Sequence, residues 1–186
     1  MNMTARHEIE TERMLIRSYH HADLDEHVAI LSNWEVTRWL SDNIPFPYSR
    51  EEGEKFIENA KDNFEGAGTI YFSINEKNTM RHMGGIKLFA PKSVDCEVGY
   101  WLGPDFWGAG YGTELLLAIV LWVQNNTSVK NLIAQIAEEN FGSRKLLEKT
   151  GFSHRGKPPP EFARCGHGAG CSEYYVLSVN KGLKND

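Results

Sequence analysis

The chain has 186 residues, of which 41% are hydrophobic and 24% charged, a composition typical of one globular domain with a substantial core. Its formal net charge is −5 and its pI is near 5.8, which argues against a general nucleic-acid-binding role. Residues 1–10 are polar and lack the apolar core of a signal peptide, and no other stretch is long enough to cross a membrane. We therefore expect a cytoplasmic protein without membrane or nucleic-acid partners.

The first part of the chain predicts one strand followed by helices. Apolar positions over 8–18 predict the strand, and Asp23 suits the N-cap of a helix that carries Leu24, Val28 and Leu31. A short second helix is expected over residues 34–40. Ser49 and Glu52 match a capping box, which predicts a third helix.

The rest of the chain predicts further strands and two more helices, in a single mixed α/β domain over 1–186. The strands have alternating or β-rich patterns and cover 69–75, 85–89, 94–102, 131–137, a segment from Phe152, and 172–179. The helices begin near Tyr111 and after Asn140, which suits an N-cap. Residues 157–170 are rich in Pro and Gly and predict a long loop.

The stretch from Gly99 to Gln124 carries the strongest functional signal. It contains the end of a strand, a turn with Gly108, Gly110 and Gly112, and then an apolar helix. Glycines let the backbone turn sharply and approach a ligand, and the first N–H groups of a helix are free donors. This arrangement favours a phosphate-bearing ligand.

The glycine spacing alone is weak evidence, because glycine turns before helices are common. It differs from the dinucleotide-binding pattern, and no Lys-Ser/Thr pair follows it, as a P-loop requires. The apolar run over 115–123 is too short for a membrane span and predicts a buried helix instead.

Three segments in the same order resemble the GNAT N-acetyltransferases, in the form used by the RimJ/RimL-type branch. They are Gly-Tyr-Trp-Leu-Gly-Pro-Asp-Phe-Trp-Gly-Ala-Gly-Tyr-Gly-Thr-Glu over 99–114, the Asn-x-x-Ser segment ending in Gly-Phe over 139–152, and Glu-Arg-Met-Leu-Ile-Arg over 12–17 with the tryptophan-containing 34–40. The resemblance implies a central, mostly antiparallel sheet that splays near its middle and binds the cofactor in the split.

The resemblance also implies acetyl-CoA as the acetyl donor and a primary amine as the acceptor. Its cofactor-binding positions correspond here to Trp101, Leu102, Trp107, Gly108, Ala109, Gly110, Tyr111, Gly112, Thr113, Asn140 and Ser143. The wider family has Gln or Arg where Trp107 stands, and the branch often has a basic residue where Ala109 stands. Both differences reduce the number of cationic contacts to the pyrophosphate.

Glu97 is the candidate catalytic base. Strand alternation places Glu97, Gly99 and Trp101 on one face and Val98, Tyr100 and Leu102 on the other. A carboxylate beside aromatic rings near a cleft could accept an ammonium proton through water. The alternative is a charged residue on an exposed sheet face.

Ser143 is the candidate catalytic acid. Asn140 and Ser143 share one helix face, so both can point at one ligand. The resemblance implies that Asn140 contacts the pantetheine or acetyl end and that Ser143 protonates the thiolate. Tyr174 and Tyr175 are alternative proton donors or core aromatics, and a backbone N–H near Trp101 or Leu102 is expected to meet the oxyanion.

Other polar clusters give weaker signals. Cys165, His167 and Cys171 share one loop, but their spacing matches no standard zinc site, so we expect no metal. His20, His21 and His82 have polar neighbours in the sequence and predict surface positions.

The acceptor is the least determined part of the prediction. The branch implies a protein N-terminal α-amine, as in ribosomal proteins. The alternatives are a small amine such as a polyamine or an antibiotic, and a non-catalytic acyl-CoA-binding module. A homodimer also stays open.

Overall fold

The computed structural model describes residues 8–61, 68–158 and 172–179, which form a mixed α/β fold around one sheet. The eight strands are β1 (Ile9–Glu10), β2 (Met14–Arg17), β3 (Thr69–Glu76), β4 (His82–Phe89), β5 (Asp95–Leu102), β6 (Asn131–Ala137), β7 (Ser153–His154) and β8 (Ser172–Ser178). The five α-helices are α1 (Leu24–Leu31), α2 (Trp34–Thr37), α3 (Arg50–Lys61), α4 (Tyr111–Asn126) and α5 (Phe141–Lys149). No helix among these residues is long and apolar enough to span a membrane.

The strand order across the sheet is β1-β2-β3-β4-β5-β6-β8-β7. Every neighbouring pair is antiparallel except β5 and β6, which are parallel because α4 connects them. The expected mostly antiparallel sheet is therefore confirmed.

The sheet opens between β5 and β6. The two strands pair only over Asp95–Glu97 and Asn131–Ile133, although each continues for at least four more residues. The β6-facing edge of residues 98–102 therefore has no strand partner in the described part of the chain. This split positions the functional site.

Helix α4 covers one face of the sheet. Its side chains Leu115, Leu116, Ile119 and Val123 are buried and pack with apolar residues of β2 to β6. The prediction of a buried helix holds only for the side of α4 that faces the sheet. On the other side, the side chains of Leu117 and Leu121 are 53% and 59% exposed to solvent. With 3.6 residues per turn, only part of the helix surface can contact the sheet.

Helices α1 to α3 cover the opposite face, where a buried ion pair replaces the expected helix cap. The Asp23 carboxylate accepts two hydrogen bonds from Arg17, at 2.8 and 2.9 Å, and one from the His20 backbone N–H at 2.9 Å. Asp23 makes no side-chain cap bond to α1. Asp23 is thus the N-cap residue of α1, as predicted, but its side chain joins the helix to β2 instead of capping it.

The surface prediction for His82 is wrong, whereas His20 and His21 are exposed as predicted. His82 is only 1% exposed because β4 begins three residues before the predicted strand and carries His82 into the sheet. Its polar sequence neighbour Arg81 lies just before the strand. The first strand also differs from its prediction, since a turn divides it into β1 and β2.

Candidate active site

The turn between β5 and α4 presents backbone donors to the split. Gly108 and Gly110 have φ of 73° and 86°, a left-handed conformation that favours glycine. Gly110 is the N-cap of α4, and no side chain caps the first N–H groups of this helix. Free helix N–H groups beside a left-handed turn form a site for an anion.

Arg13 holds this turn from the side of β1 and β2. Its backbone N–H and its Nε donate to the Glu114 carboxylate at 2.9 and 2.7 Å, and its Nη1 donates to the Ala109 carbonyl at 2.9 Å. The guanidinium also lies 4.1 Å from the centre of the Tyr111 ring. Arg13 therefore fixes the direction of a carbonyl in the turn and contacts the first turn of α4.

Trp107 fixes the other end of the turn. Its indole Nε1 donates to the Leu102 carbonyl at 2.8 Å, which ties the turn to the last residue of β5. The ring itself is 47% exposed. Trp107 therefore contributes to the position of the turn through a side chain that lies at the surface.

Two hydroxyl groups meet across the split. Tyr100 Oη and Ser143 Oγ lie 2.7 Å apart, which joins β5 to the first turn of α5. Burial raises the pKa of Tyr100 to about 12, although the hydrogen bond with Ser143 opposes this shift. The pair therefore keeps its protons at neutral pH. Tyr100 is a candidate that the residue pattern did not reveal, since no local spacing relates it to α5.

Asn140 is the N-cap of α5, as predicted. Its Oδ1 accepts from the Ser143 backbone N–H at 3.0 Å. This cap places Ser143 in the first turn of α5, where its hydroxyl reaches Tyr100. The helix terminus and the hydroxyl pair thus form one unit at the split.

Glu97 lies where the sheet opens. It is the last residue of β5 that pairs with β6, and it is half-buried beside the cleft. Lys87 lies on the same face, because a Cβ on Gly99 would come 2.8 Å from Lys87 Cε. The predicted face of Glu97, Gly99 and Trp101 is therefore the one that α1 to α3 cover.

The cleft has a volume of about 1030 Å³ and passes between these elements. On the side of α1 to α3, five aromatic residues line it: Trp39, Tyr48, Phe56, Tyr71 and Trp101. We call these five residues the aromatic wall. Glu35, Lys87 and Glu97 are charged residues that line the cleft beside the wall, and the Arg38 guanidinium lies 4.6 Å from the centre of the Trp39 ring.

Most of the predicted site residues line this cleft. They are Glu97, Trp101, Leu102, Trp107, Gly108, Gly110, Gly112, Thr113, Asn140 and Ser143. Ala109 and Tyr111 do not line it, and both contact Arg13 instead. The structure thus gathers residues from the turn, β5 and α5 around one space.

Tyr174 and Tyr175 lie away from the cleft. Tyr175 is 1% exposed in the core, with its ring 5.0 Å from that of His154. Tyr174 is half-buried on β8, opposite Gln135, and does not line the cleft. As candidate proton donors, Ser143 and Tyr100 are therefore better placed than Tyr174 or Tyr175.

Within the described residues, no group of three or more His, Cys, Asp or Glu side chains could hold a metal ion. The predicted loop with Cys165, His167 and Cys171 lies outside those residues.

The chain matches the acetyltransferase (GNAT) domain over residues 13–153. This chain belongs to the GNAT acetyltransferase family. An uncharacterized N-acetyltransferase of Bacillus subtilis, YoaA, is 26% identical over 151 residues, which are 80% of this chain and 84% of that protein. The donor of this family is acetyl-CoA, and the chain is an N-acetyltransferase.

Two solved structures show the same fold. The ribosomal L7/L12 α-N-protein acetyltransferase RimL, in complex with coenzyme A, has a TM-score of 0.77 and 15% identity, covering 94% of this chain and 99% of its own. The spermidine N-acetyltransferase of Vibrio cholerae, with CoA and spermine, has a TM-score of 0.73 and 17% identity, covering 92% of this chain and 98% of its own. At this low sequence identity, the likeness shows a shared fold and does not identify the acceptor of this chain.

The geometry of the turn fits the pyrophosphate of acetyl-CoA. Gly108 and Gly110 lie exposed at the cleft in left-handed conformations, and a Cβ on Gly108 would meet nothing within 4 Å. The backbone is therefore open to a ligand on this side, and Arg13 holds it from the other.

Proposed function

We propose that this N-acetyltransferase acts on the N-terminal α-amine of a protein, with ribosomal proteins as the first class to test. The composition of the aromatic wall carries the proposal. A polyamine has several positive charges and would be favoured by several carboxylates, whereas the cleft beside the wall has two, Glu35 and Glu97, together with the positively charged Lys87 and Arg38. One ammonium group attached to an apolar or small residue suits aromatic rings with few charges.

We propose the following roles for the residues around the split. Acetyl-CoA supplies the acetyl group as a thioester, and the amine attacks it directly, without a covalent enzyme intermediate. Glu97 accepts the ammonium proton through water. Ser143, hydrogen-bonded to Tyr100, donates a proton to the departing sulfur, and a backbone N–H of Trp101 or Leu102 donates to the carbonyl oxygen.

The turn and the first turn of α5 hold the donor in this proposal. Backbone N–H groups of 107–113 bind the pyrophosphate, and Asn140 lies at the pantetheine or acetyl end. The support is that two helix N-termini, those of α4 and α5, meet the same cleft. Both would stabilise negative charge that the reaction presents there.

Release of free thiol from acetyl-CoA with a panel of acceptors tests the proposal. The panel holds short peptides that begin with Ser, Ala or Met, the same peptides with an acetylated N-terminus and an internal Lys, and spermidine. We expect turnover at least tenfold faster with free N-termini. Turnover with spermidine alone would assign a small amine, and binding of CoA without any turnover would indicate a binding module.

A further inference from the structure

Four buried polar atoms, on aromatic and imidazole rings that pack together at the aromatic wall, have no hydrogen-bond partner in the described structure. They are Tyr19 Oη, His27 Nδ1, His82 Nε2 and Trp101 Nε1. The centre of the His27 ring lies 5.6 Å from the rings of Tyr19 and His82 and 6.0 Å from that of Trp101. Few buried polar groups stay unpaired in folded proteins, because losing water without a replacement is unfavourable. Four such atoms in one cluster of rings indicate a binding site for a small polar molecule.

A chain of hydrogen bonds fixes the proton on His82. Asp23 Oδ1 accepts from Asn75 Nδ2 at 3.0 Å, so Asn75 Oδ1 accepts the Ser73 hydroxyl proton, also at 3.0 Å. Ser73 has no second proton, so His82 Nδ1 must donate to Ser73 Oγ across 2.9 Å. Burial lowers the pKa of His82 to about 4, so the ring is neutral at pH 7. His82 Nε2 is therefore a hydrogen-bond acceptor.

The other atoms of the cluster define what can bind. Trp101 Nε1–H can only donate, and the Tyr19 hydroxyl can donate and accept. An anion would meet the lone pair of His82, and a cation would meet the indole N–H. Water both donates and accepts, and buried water typically makes about three hydrogen bonds. Water is therefore the occupant that suits both ends of the cluster.

The cluster is in direct contact with the aromatic wall of the cleft. His27 Nε2 lies 3.3 Å from Tyr48 Oη, and the His27 ring stacks on Phe56 at 4.9 Å. Tyr48, Phe56 and Trp101 all belong to the aromatic wall. A Cβ on Gly85 would come 2.2 Å from Tyr19 Oη and 2.4 Å from the Trp101 ring, so this glycine lets both groups approach β4.

We propose that Tyr19, His27, His82 and Trp101 bind at least one ordered water molecule, which holds the Trp101 indole in place in the aromatic wall. The water site follows from this chain alone, whereas its effect on acceptor binding rests on the proposed function. The water accepts from Trp101 Nε1–H and donates to His82 Nε2, and Tyr19 and His27 provide further partners.

A crystal structure of the full chain at about 1.5 Å resolution tests the water site. We expect electron density for a water within about 3.2 Å of both His82 Nε2 and Trp101 Nε1. A dry cluster would overturn the proposal, and so would rings turned so that the four atoms pair directly with one another. This result does not depend on which amine the enzyme acetylates.

Tyr19→Phe tests whether the water positions the wall, because it removes one partner of the water and keeps the ring. Tyr174→Phe is the matched control, since it removes a hydroxyl from a half-buried ring outside the cleft. We expect Tyr19→Phe to raise the KM for the Ser-, Ala- or Met-initiated peptides about fivefold and to leave CoA affinity, measured by calorimetry, unchanged. Equal KM values in the two variants would overturn the positioning role.

If none of the peptides reacts, the proposed function fails and the crystal structures still decide the inference. In crystals of Tyr19→Phe, we then expect the Trp101 indole to move or to occupy more than one position. An indole in its original place, with the water lost, would overturn the positioning role.

Discussion

The hydrogen bond between Tyr100 Oη and Ser143 Oγ brings a buried phenol and a hydroxyl to the same point of the split. We expect Ser143→Ala and Tyr100→Phe each to lower kcat about 10- to 100-fold, since general acid catalysis contributes effects of this size or larger. Affinity for CoA should stay within about twofold of the wild type, because the proposed pyrophosphate contacts lie at the N-terminus of α4. Steady-state kinetics and calorimetry measure the two effects.

The double variant separates a shared role from two independent ones. If the two hydroxyls act as one unit, the kcat of the Tyr100→Phe, Ser143→Ala double variant should be no lower than that of the less active single variant. Multiplied losses in the double variant would contradict the shared role.

Arg13 holds the turn between β5 and α4, which we call the cofactor turn, by donating hydrogen bonds to Glu114 and to the Ala109 carbonyl. We expect Arg13→Gln to weaken CoA binding about tenfold, or roughly 1.4 kcal/mol, because the substitution removes the two side-chain donors to Glu114 and Ala109 and a nearby positive charge. Isothermal titration calorimetry with CoA measures this change.

Arg50→Gln is the control for Arg13→Gln. Arg50 also forms two ion pairs, with Asp25 and Glu54, but it is exposed on α3. Its replacement should leave CoA affinity unchanged. An equal loss in both variants would show that Arg13 contributes only general charge.

At the scale of secondary structure, the pairing of β4 with β5 depends on two glycines. A Cβ on Gly84 would come 2.1 Å from the Trp101 carbonyl, and one on Gly85 would meet Tyr19 and the Trp101 ring on the other face. Both sides of β4 are therefore closely packed at the point where β5 carries the wall and the edge of the split.

Gly85→Ala should lower the free energy of unfolding by about 1–3 kcal/mol, because the Tyr19 and Trp101 rings leave no room for the added methyl group. Gly68→Ala is the matched control, since a Cβ there meets nothing within 4 Å. We expect its effect to stay within about 0.5 kcal/mol. Urea unfolding of both variants measures the difference, and equal stabilities would contradict the close packing of β4.

For the whole molecule, two buried histidines make stability depend on pH. Burial lowers the pKa of His27 to about 3 and that of His82 to about 4, from an ordinary value of 6.5. Below pH 6.5 the unfolded chain takes up these protons and the folded chain does not. Stability should therefore be full above about pH 6.5 and fall with decreasing pH, by at most about 1.4 kcal/mol per pH unit for each histidine.

Asp23 contributes to the free energy of unfolding in a separate, lower pH range. Burial would raise its pKa, but hydrogen bonds from Arg17 and the His20 N–H lower it to about 2, below the ordinary 3.8. Its contribution is present above pH 3.8 and is lost as the pH falls towards 2. Urea midpoints at pH 7, 6 and 5 therefore report the histidines without a contribution from Asp23.

His27→Phe should reduce the slope of stability between pH 6.5 and 5 by about half, since one of the two buried imidazoles is gone. His21→Gln, at an exposed position, should keep the full slope. Urea midpoints that are equal at pH 7 and pH 5 in the wild type would contradict the assignment.

The sequence by itself determined most of the helices and strands, and also the cap and the turn at which the two functional helices begin. Hydrophobic periodicity predicted α4, β6 and α5. The Asn140 cap and the glycine turn were also predictable, because caps and turns depend on residues that are close in the chain. The three motifs predicted the family, and with it the donor. Local patterns did less well for His82 and Asp23, whose partners lie on other elements.

Only the tertiary structure decided which distant side chains meet. Arg13 and Glu114 are 101 residues apart, Tyr100 and Ser143 are 43 apart, and Asn75 and Asp23 are 52 apart. Such contacts depend on sheet register and on how closely helices approach, and local spacing specifies neither. The hydroxyl pair, the support of the cofactor turn and the buried histidine cluster therefore became visible only when the sheet was folded between its two layers of helices.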